Sequence, residues 1–374
     1  MAFKKITELI AHEGRYSPST SSEVGEEPVG EAGLFQSFFL PLQFAQGKMK
    51  FATFLMLTTS ALARPSKPVS SWPGWSGIEQ MFVFGDSYTT TGFNASTGPQ
   101  PSPGNPLGNP KYPGYTSSNG PNWVDYLTVK YNDSLVLTYN LAYGGATVDA
   151  ALVAQYLPTV LSLKEQVQTE FLPLYGTQQL ASWKPDATLF AIFIGINDVG
   201  NSYAGTASGN TTIYDAVLSE YTSLVNQLYD SGARNFVFLN VPPVDRSPLT
   251  ASSGPAAQAL EASRIALFNS RIATLAANLA HADKQNAVFL YDTHTLFEEV
   301  LDNPQQFPHT ALYRNTTDYC FDYENGTAAM DTLNASCVYP VNEYFWLNSL
   351  HPTYPMHDLL SSKVAEELRG GRCM

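Results

Sequence analysis

Five short, dense apolar runs, each parted from the next by a longer stretch of helical periodicity, constrain this chain more than any other feature. MFVFGD begins at Met81, LVLTYNL at Leu135, ATLFAIFIG at Ala187, NFVFLNV at Asn235 and NAVFLYD at Asn286. They are rich in Phe, Val, Leu and Ile and lack the polar alternation of a strand with one wet face, so they read as strands covered on both sides. Helical patterns run over 123–130, 150–170, 214–231, 256–282 and 356–369. Strands alternating with helices imply a parallel sheet, because each parallel crossover must pass over a face of the sheet. The expected fold class is α/β: a three-layer α/β/α sandwich around a parallel sheet of about five strands. No internal repeat is present. The Gly/Pro-rich segment GPQPSPGNPLGNPKYPGY, 98–115, reads as a long surface loop over one edge of the sheet.

The chain has 374 residues, 44% of them hydrophobic and 14% charged, enough for one large domain with a substantial core. Lys and Arg total 20 against 33 Asp and Glu, a formal net charge of -13. Such a surface repels nucleic acid and anionic membranes, so neither is an expected partner. The low charge and the 13% aromatic content suit a secreted, loop-rich protein. A sharper compartment signal is MKFATFLMLTTSALARPS from Met49: a lysine, an apolar run, then Ala61-Leu62-Ala63. Those are the parts of a secretory signal peptide. The run falls short of the roughly 20 residues of a spanning helix, so no stable membrane insertion is expected. Residues 1–48 then read as a non-native or disordered extension from an upstream start, 49–63 as the signal peptide and 64–374 as a single folded domain. The competing arrangement is a cytosolic tail followed by a signal anchor.

Secretion agrees with six N-x-[ST] sequons, at Asn94, Asn132, Asn210, Asn315, Asn325 and Asn334. Three of them fall in one polar loop, Asn315 to Asn334, with Asn325 and Asn334 between Cys320 and Cys337. A disulfide between those cysteines would close the loop, stabilising it by roughly 3 kcal/mol in the loop-entropy model. Cys373 is left over near a frayed end. No His/Cys/Asp cluster has ligand spacing, so no metal and no cofactor is expected. The oligomeric state is not written in the sequence, and a monomer is the default expectation.

Open parallel sheets bind ligands at the carboxyl ends of their strands. The first strand ends in Gly85-Asp86-Ser87, a serine exposed where backbone N–H groups of a strand-to-helix turn are free to hold an oxyanion. By itself this is equally an Asp/Ser helix cap. The second ends in NLAYGGATVD, where a glycine lets an N–H approach a developing charge, or simply makes a turn. The third ends in GIND, where Asn197 offers a side-chain amide, or an ordinary Asn-Asp turn. Near the C-terminus comes YFWLNSLHPTYPMHD, with His351 before Pro352.

Taken together, FGDSY, NLAYGGA, GIND and the LHPT loop resemble the four ordered blocks of the GDSL family, also called SGNH hydrolases, over roughly residues 80–367. The resemblance implies a flavodoxin-like hydrolase domain with Ser87 as nucleophile and His351 as general base. It also implies an oxyanion hole built from the N–H groups of Ser87 and Gly145 and the amide of Asn197. Gly145 is chosen over Gly144 because the family glycine stands five residues after the strand-ending asparagine, here Asn140. The remaining histidines, His281, His294, His309 and His357, read as surface or loop residues.

One position departs from the family pattern. Where it has D-x-x-H, this chain has Asn348-Ser349-Leu350-His351. An asparagine carbonyl can accept from the histidine Nδ1–H and fix the tautomer, but it supplies no charge to the imidazolium. Asn348 or a nearby main-chain carbonyl is the favoured orienter; a carboxylate from elsewhere, Asp331 or Asp322, is the other option. Within the family, GPNWVDYL, the Cys320–Cys337 loop and FWLNSLHPT look like secreted fungal acetylesterases of carbohydrate esterase family 16. That implies an extracellular serine esterase acting on acetylated sugars or xylo-oligosaccharides through an acyl-enzyme. Tyr88, Tyr143, Trp123 and Trp346 are either sugar-stacking aromatics or core. Two other readings stay open: a secreted lipase or phospholipase, and an inactive binding protein on the same scaffold, suggested only by Asn348.

Overall fold

The computed structural model describes residues 72–374. The extension 1–48 and the signal-peptide segment 49–63 lie outside the described residues. All five apolar runs are strands: β1 (Gln80–Gly85), β2 (Leu137–Asn140), β3 (Thr188–Phe193), β4 (Asn235–Leu239) and β5 (Ala287–Tyr291). They form one parallel sheet in the order β2-β1-β3-β4-β5. Gly85 pairs with Phe193 and Val83 with Asn140, which aligns the ends of β1, β2 and β3 along one rim. The chain leaves β1 for β2 on one side and then crosses to β3 on the other. That reversal opens a crevice at the carboxyl ends beside β1.

The strands are buried because helices cover both faces. These are α1 (Trp123–Val129), α2 (Leu163–Glu165, running on as a π-helix over Gln166–Gly176), α3 (Ile196–Gly200), α4 (Thr212–Asp230), α5 (Pro255–Ala282), α6 (Thr293–Asp302) and α7 (Tyr354–Gly370). Helices α1, α6 and α7 pack together, and α2, α4 and α5 pack together, as the outer layers of the three-layer sandwich. Phe82, Phe84, Phe190, Phe236 and Phe238 are fully buried. Each such ring contributes about 1.5–3 kcal/mol by leaving water. Phe82 lies edge-on to Phe171 of the π-helix, with ring centroids 4.9 Å apart.

Both rims of the sheet are used by the chain itself. On the β2 side, the Gly/Pro-rich loop supplies the Pro106 carbonyl to the Thr138 N–H at 2.9 Å. On the β5 side, the Met374 N–H donates to the Val288 carbonyl at 2.9 Å, and Cys373 packs against the core. The chain end is therefore docked, not frayed.

Two helical expectations need correction. The segment 150–170 is not one helix. Turns carry the chain past Pro158, and the helix starts after Ser162, whose N–H donates to the Glu165 carboxylate at 2.9 Å. Helix α6 was not expected at all. It starts where Asp292 accepts from the Thr295 N–H at 3.2 Å, and it buries Leu296, Phe297, Val300 and Leu301. Among the described residues no helix is long and apolar enough to cross a membrane.

Candidate active site

Ser87 stands two residues past the end of β1 and is 9% exposed. Four side chains from elsewhere hold the turn around it. Gln166 brackets Gly85, accepting from its N–H at 3.0 Å and donating to its carbonyl at 2.9 Å. Asn122 and Asn140 each donate to the Thr89 carbonyl at 2.8 Å, and the Trp123 indole donates to the Thr89 hydroxyl at 3.2 Å. Asn122 also caps α1, accepting from the Val124 N–H at 3.0 Å. The asparagine that ends β2 and the one in GPNW are thus structural ties on the Ser87 turn. Both are visible in the sequence, but nothing there announces Gln166, whose place depends on the π-helix.

The loop after β2 passes beside this turn. A Cβ on Gly144 would lie 3.9 Å from the Ser87 Cβ, so the open side of that glycine faces the serine. Gly145 takes φ +83°, and a Cβ there would lie 2.4 Å from the Tyr156 Cβ, so only glycine fits without displacing that residue. The Asn197 amide donates to the Ala146 carbonyl at 2.8 Å, and among the described residues its other amide hydrogen is uncommitted. Asp198 accepts from the Val148 N–H at 3.0 Å. Asn197 and Asp198 therefore hold the glycine loop from the α3 side. Among the described residues, neither the Ser87 N–H nor the Gly145 N–H donates to another protein group.

His351 completes the arrangement. Its Nε2 stands 2.7 Å from the Ser87 Oγ and its Nδ1 stands 2.9 Å from the Asn348 Oδ1. The same Oδ1 accepts from the backbone N–H groups of Leu350, at 3.1 Å, and His351, at 3.0 Å. Those two donors fix which end of the Asn348 amide faces the ring. A carbonyl oxygen only accepts, so Nδ1 carries the proton and Nε2 offers its lone pair to the serine. The Asn348 amide nitrogen donates to the Glu324 carbonyl at 3.4 Å. Neither Asp331 nor Asp322 reaches the ring; Asp322 is engaged by the Ser336 hydroxyl. The neighbours of Ser87 and His351 are joined as well, since the Tyr88 hydroxyl donates to the Leu350 carbonyl at 2.6 Å.

Burial sets the charges here. His351 is pushed down to about 4, so its imidazole is neutral near pH 7 and free to accept a proton. Asp86, fully buried beside the serine, is pushed up to about 8 by burial despite the Tyr88 N–H bond, and Asp198 is pushed up to about 7. His357 is buried, not a surface residue, and sits at about 3 through burial and its proximity to His351. His309 is half-buried, 3.0 Å from the Tyr131 hydroxyl. Among the proposed sugar-stacking aromatics, Tyr88, Trp123 and Trp346 are core residues with at most 1% exposure; Tyr143 is only half-buried.

The Cys320–Cys337 disulfide is formed. It closes the loop whose Glu324 carbonyl meets Asn348, over a small cluster of Tyr323, Val341, Tyr344 and Leu347. Asn94, Asn210 and Asn325 are exposed, while Asn132, Asn315 and Asn334 are half-buried. Among the described residues no group of three or more His, Cys, Asp or Glu side chains is placed to hold a metal ion.

The chain is also similar in sequence to proteins of known name. Residues 81–353 match the model of the GDSL-like lipase/acylhydrolase family. An acetylesterase from Thermothelomyces thermophilus is 34% identical over 330 residues, spanning 87% of this chain and 99% of that protein. A thermolabile hemolysin from Vibrio parahaemolyticus is 27% identical over 298 residues, spanning 77% of this chain and 63% of that protein. Among solved structures, an acetylxylan esterase from Geobacillus stearothermophilus overlays with a TM-score of 0.42 at 14% identity, over 78% of this chain and 94% of that one. A serine and a histidine in hydrogen-bond contact at the carboxyl rim, the matched family model and a relative aligned over nearly its whole length lead to one conclusion: the chain belongs to the GDSL-like lipase/acylhydrolase family and is a hydrolase of ester bonds.

Proposed function

We propose that the protein is a secreted serine esterase that removes acetyl groups from carbohydrates. The observation that carries the chemistry is the hydrogen-bonded line Ser87–His351–Asn348. The acetyl specificity is supported by the Thermothelomyces thermophilus acetylesterase, which aligns over 99% of its length. Secretion rests on the segment 49–63 and on the disulfide, a bond that persists in oxidising compartments.

In this reading the Ser87 Oγ attacks the acetyl carbonyl carbon while His351 Nε2 takes its proton. The carbonyl oxygen becomes an oxyanion, met by the N–H groups of Ser87 and Gly145 and the uncommitted Asn197 amide hydrogen. The imidazolium is held in place by the Asn348 carbonyl, and it returns the proton to the departing sugar hydroxyl. Water, deprotonated by the same Nε2, then attacks the acetyl-enzyme and releases acetate.

The test is steady-state hydrolysis of acetylated xylo-oligosaccharides and of p-nitrophenyl esters by wild type and Ser87→Ala. The reading expects acetate release from the sugars, a preference for acetyl over octanoyl p-nitrophenyl esters, and loss of at least about three orders of magnitude in Ser87→Ala. A preference for acyl chains of eight carbons or more would replace it with the lipase reading. Equal slow rates in wild type and Ser87→Ala would remove the Ser-His mechanism.

A further inference from the structure

We infer that Tyr156 is the platform on which the sugar ring of the substrate stacks, and so a specificity-determining residue; this rests on the carbohydrate acetylesterase reading above. The residue is 68% exposed, unusual for an aromatic rooted in so tight a spot. The Tyr156 N–H donates to the Gly145 carbonyl at 3.2 Å. Its Cβ occupies the space that a side chain at position 145 would take. Tyr156 is thereby seated on the proposed oxyanion glycine, and Gly144 next to it opens onto Ser87.

The segment carrying the tyrosine is tied down at its root by two hydrogen bonds. The Asn201 amide donates to the Ala154 carbonyl at 2.9 Å and the Thr147 hydroxyl to the Val153 carbonyl at 2.8 Å. Other exposed aromatics, such as Tyr115 and Phe321, are not tied to the glycine loop. An acetyl group is only two carbons long, so the sugar ring hangs directly on the oxygen leaving the carbonyl carbon. It must lie at the mouth of the site, beside whatever stands next to the oxyanion donors. A flat, pre-positioned ring costs little conformational entropy there and meets the apolar C–H face of a pyranose. The fully buried Tyr88, Trp123 and Trp346 cannot play this part.

The experiment compares wild type, Tyr156→Ala, Tyr156→Phe and Tyr156→Trp. Substrates are acetylated xylo-oligosaccharides and triacetin, a small ester without a ring, with acetate release followed by pH-stat and folding checked by thermal unfolding. For Tyr156→Ala we expect KM on the oligosaccharide to rise about fivefold to tenfold with kcat within about twofold, and triacetin kinetics unchanged. Tyr156→Phe and Tyr156→Trp should keep the wild-type KM. An unchanged oligosaccharide KM in Tyr156→Ala overturns the platform. So does an equal loss on both substrates, which would mean that the residue only supports the Gly145 loop. A wild type that cleaves triacetin but no acetylated sugar would overturn the carbohydrate reading itself, and the platform with it.

Discussion

Replacing Asn348 by aspartate restores the charge that the site lacks, and its effect can be worked from the geometry. The Asn348 Oδ1 lies 2.9 Å from His351 Nδ1, so a carboxylate there would place its charge about 4 Å from the centre of an imidazolium. At an effective dielectric constant of about 20 that attraction is about 4 kcal/mol, or about three pK units. His351 would rise from about 4 to about 7. Part of the gain is lost, because the second carboxylate oxygen would face the Glu324 carbonyl that Asn348 now donates to at 3.4 Å. The sign for catalysis follows. The base works only when neutral, so wild-type kcat/KM should hold down to about pH 4 and fall below it, whereas in Asn348→Asp the acid limb should move up by two to three units. At pH 8 both bases are neutral, and the imidazolium forming in the transition state is better stabilised in Asn348→Asp, so kcat should rise about tenfold to a hundredfold. Asn348→Ala removes the acceptor of the Nδ1 proton and should lower kcat by at least about a hundredfold. The assay is the pH profile of acetyl-ester hydrolysis from pH 3.5 to 9 for the three proteins. An acid limb that stays put in Asn348→Asp, with Asn348→Ala as active as wild type, would refute the assignment of Asn348 as the group that orients and tunes His351.

The remaining predictions concern the frame around the site. Asp86→Asn keeps an acceptor for the Tyr88 N–H but removes a buried ionisable group raised from 3.8 to about 8. Because the folded form of wild type binds that proton more tightly, its stability is full below about pH 4 and declines as pH rises toward 8. Asp86→Asn should therefore match wild type near pH 4 and exceed it by on the order of 2–4 kcal/mol at pH 8, read from denaturant melts at both pH values. Opening the disulfide with Cys320→Ser and Cys337→Ser should cost about 3 kcal/mol of loop stability and lower kcat severalfold, by freeing the Glu324 carbonyl that holds Asn348. Wild-type kcat in the double variant would show that the loop does not support the base. Gly195→Ala would place a Cβ 2.5 Å from the Phe268 Cε1 at φ +124°, so it should destabilise by about 2–4 kcal/mol and lower activity through Asn197. A thermal melt unchanged from wild type would contradict that packing.

The sheet was legible because its strands are buried on both faces, where a continuous apolar run is the only pattern that works. The rim residues could be read in order, since the serine, glycine and asparagine each follow a strand end and the histidine lies in the loop just before the last helix. The misread stretch was 150–170, whose apolar spacing is helical although Pro158 and local side-chain bonds turn the chain. The irregular turn and the π-helix beyond it set the places of Tyr156 and Gln166, and neither has a periodic signature. The Asn348 contact could be foreseen as one option among several. Which group meets His351 Nδ1 depends on where a loop from 320–337 lies, and that is long-range packing.

The bond from Tyr88 to the Leu350 carbonyl joins the residue after Ser87 to the residue before His351. The spacing between Ser87 and His351 is therefore held by a strap that does not include the serine hydroxyl. In the proposed mechanism that oxygen comes to carry an acyl group and its own hydrogen bond to His351 is lost, so a histidine on an unbraced loop would drift at the moment water needs a base. Strapped as it is, the imidazole waits where it was, and the second half of the turnover begins without reassembly of the site.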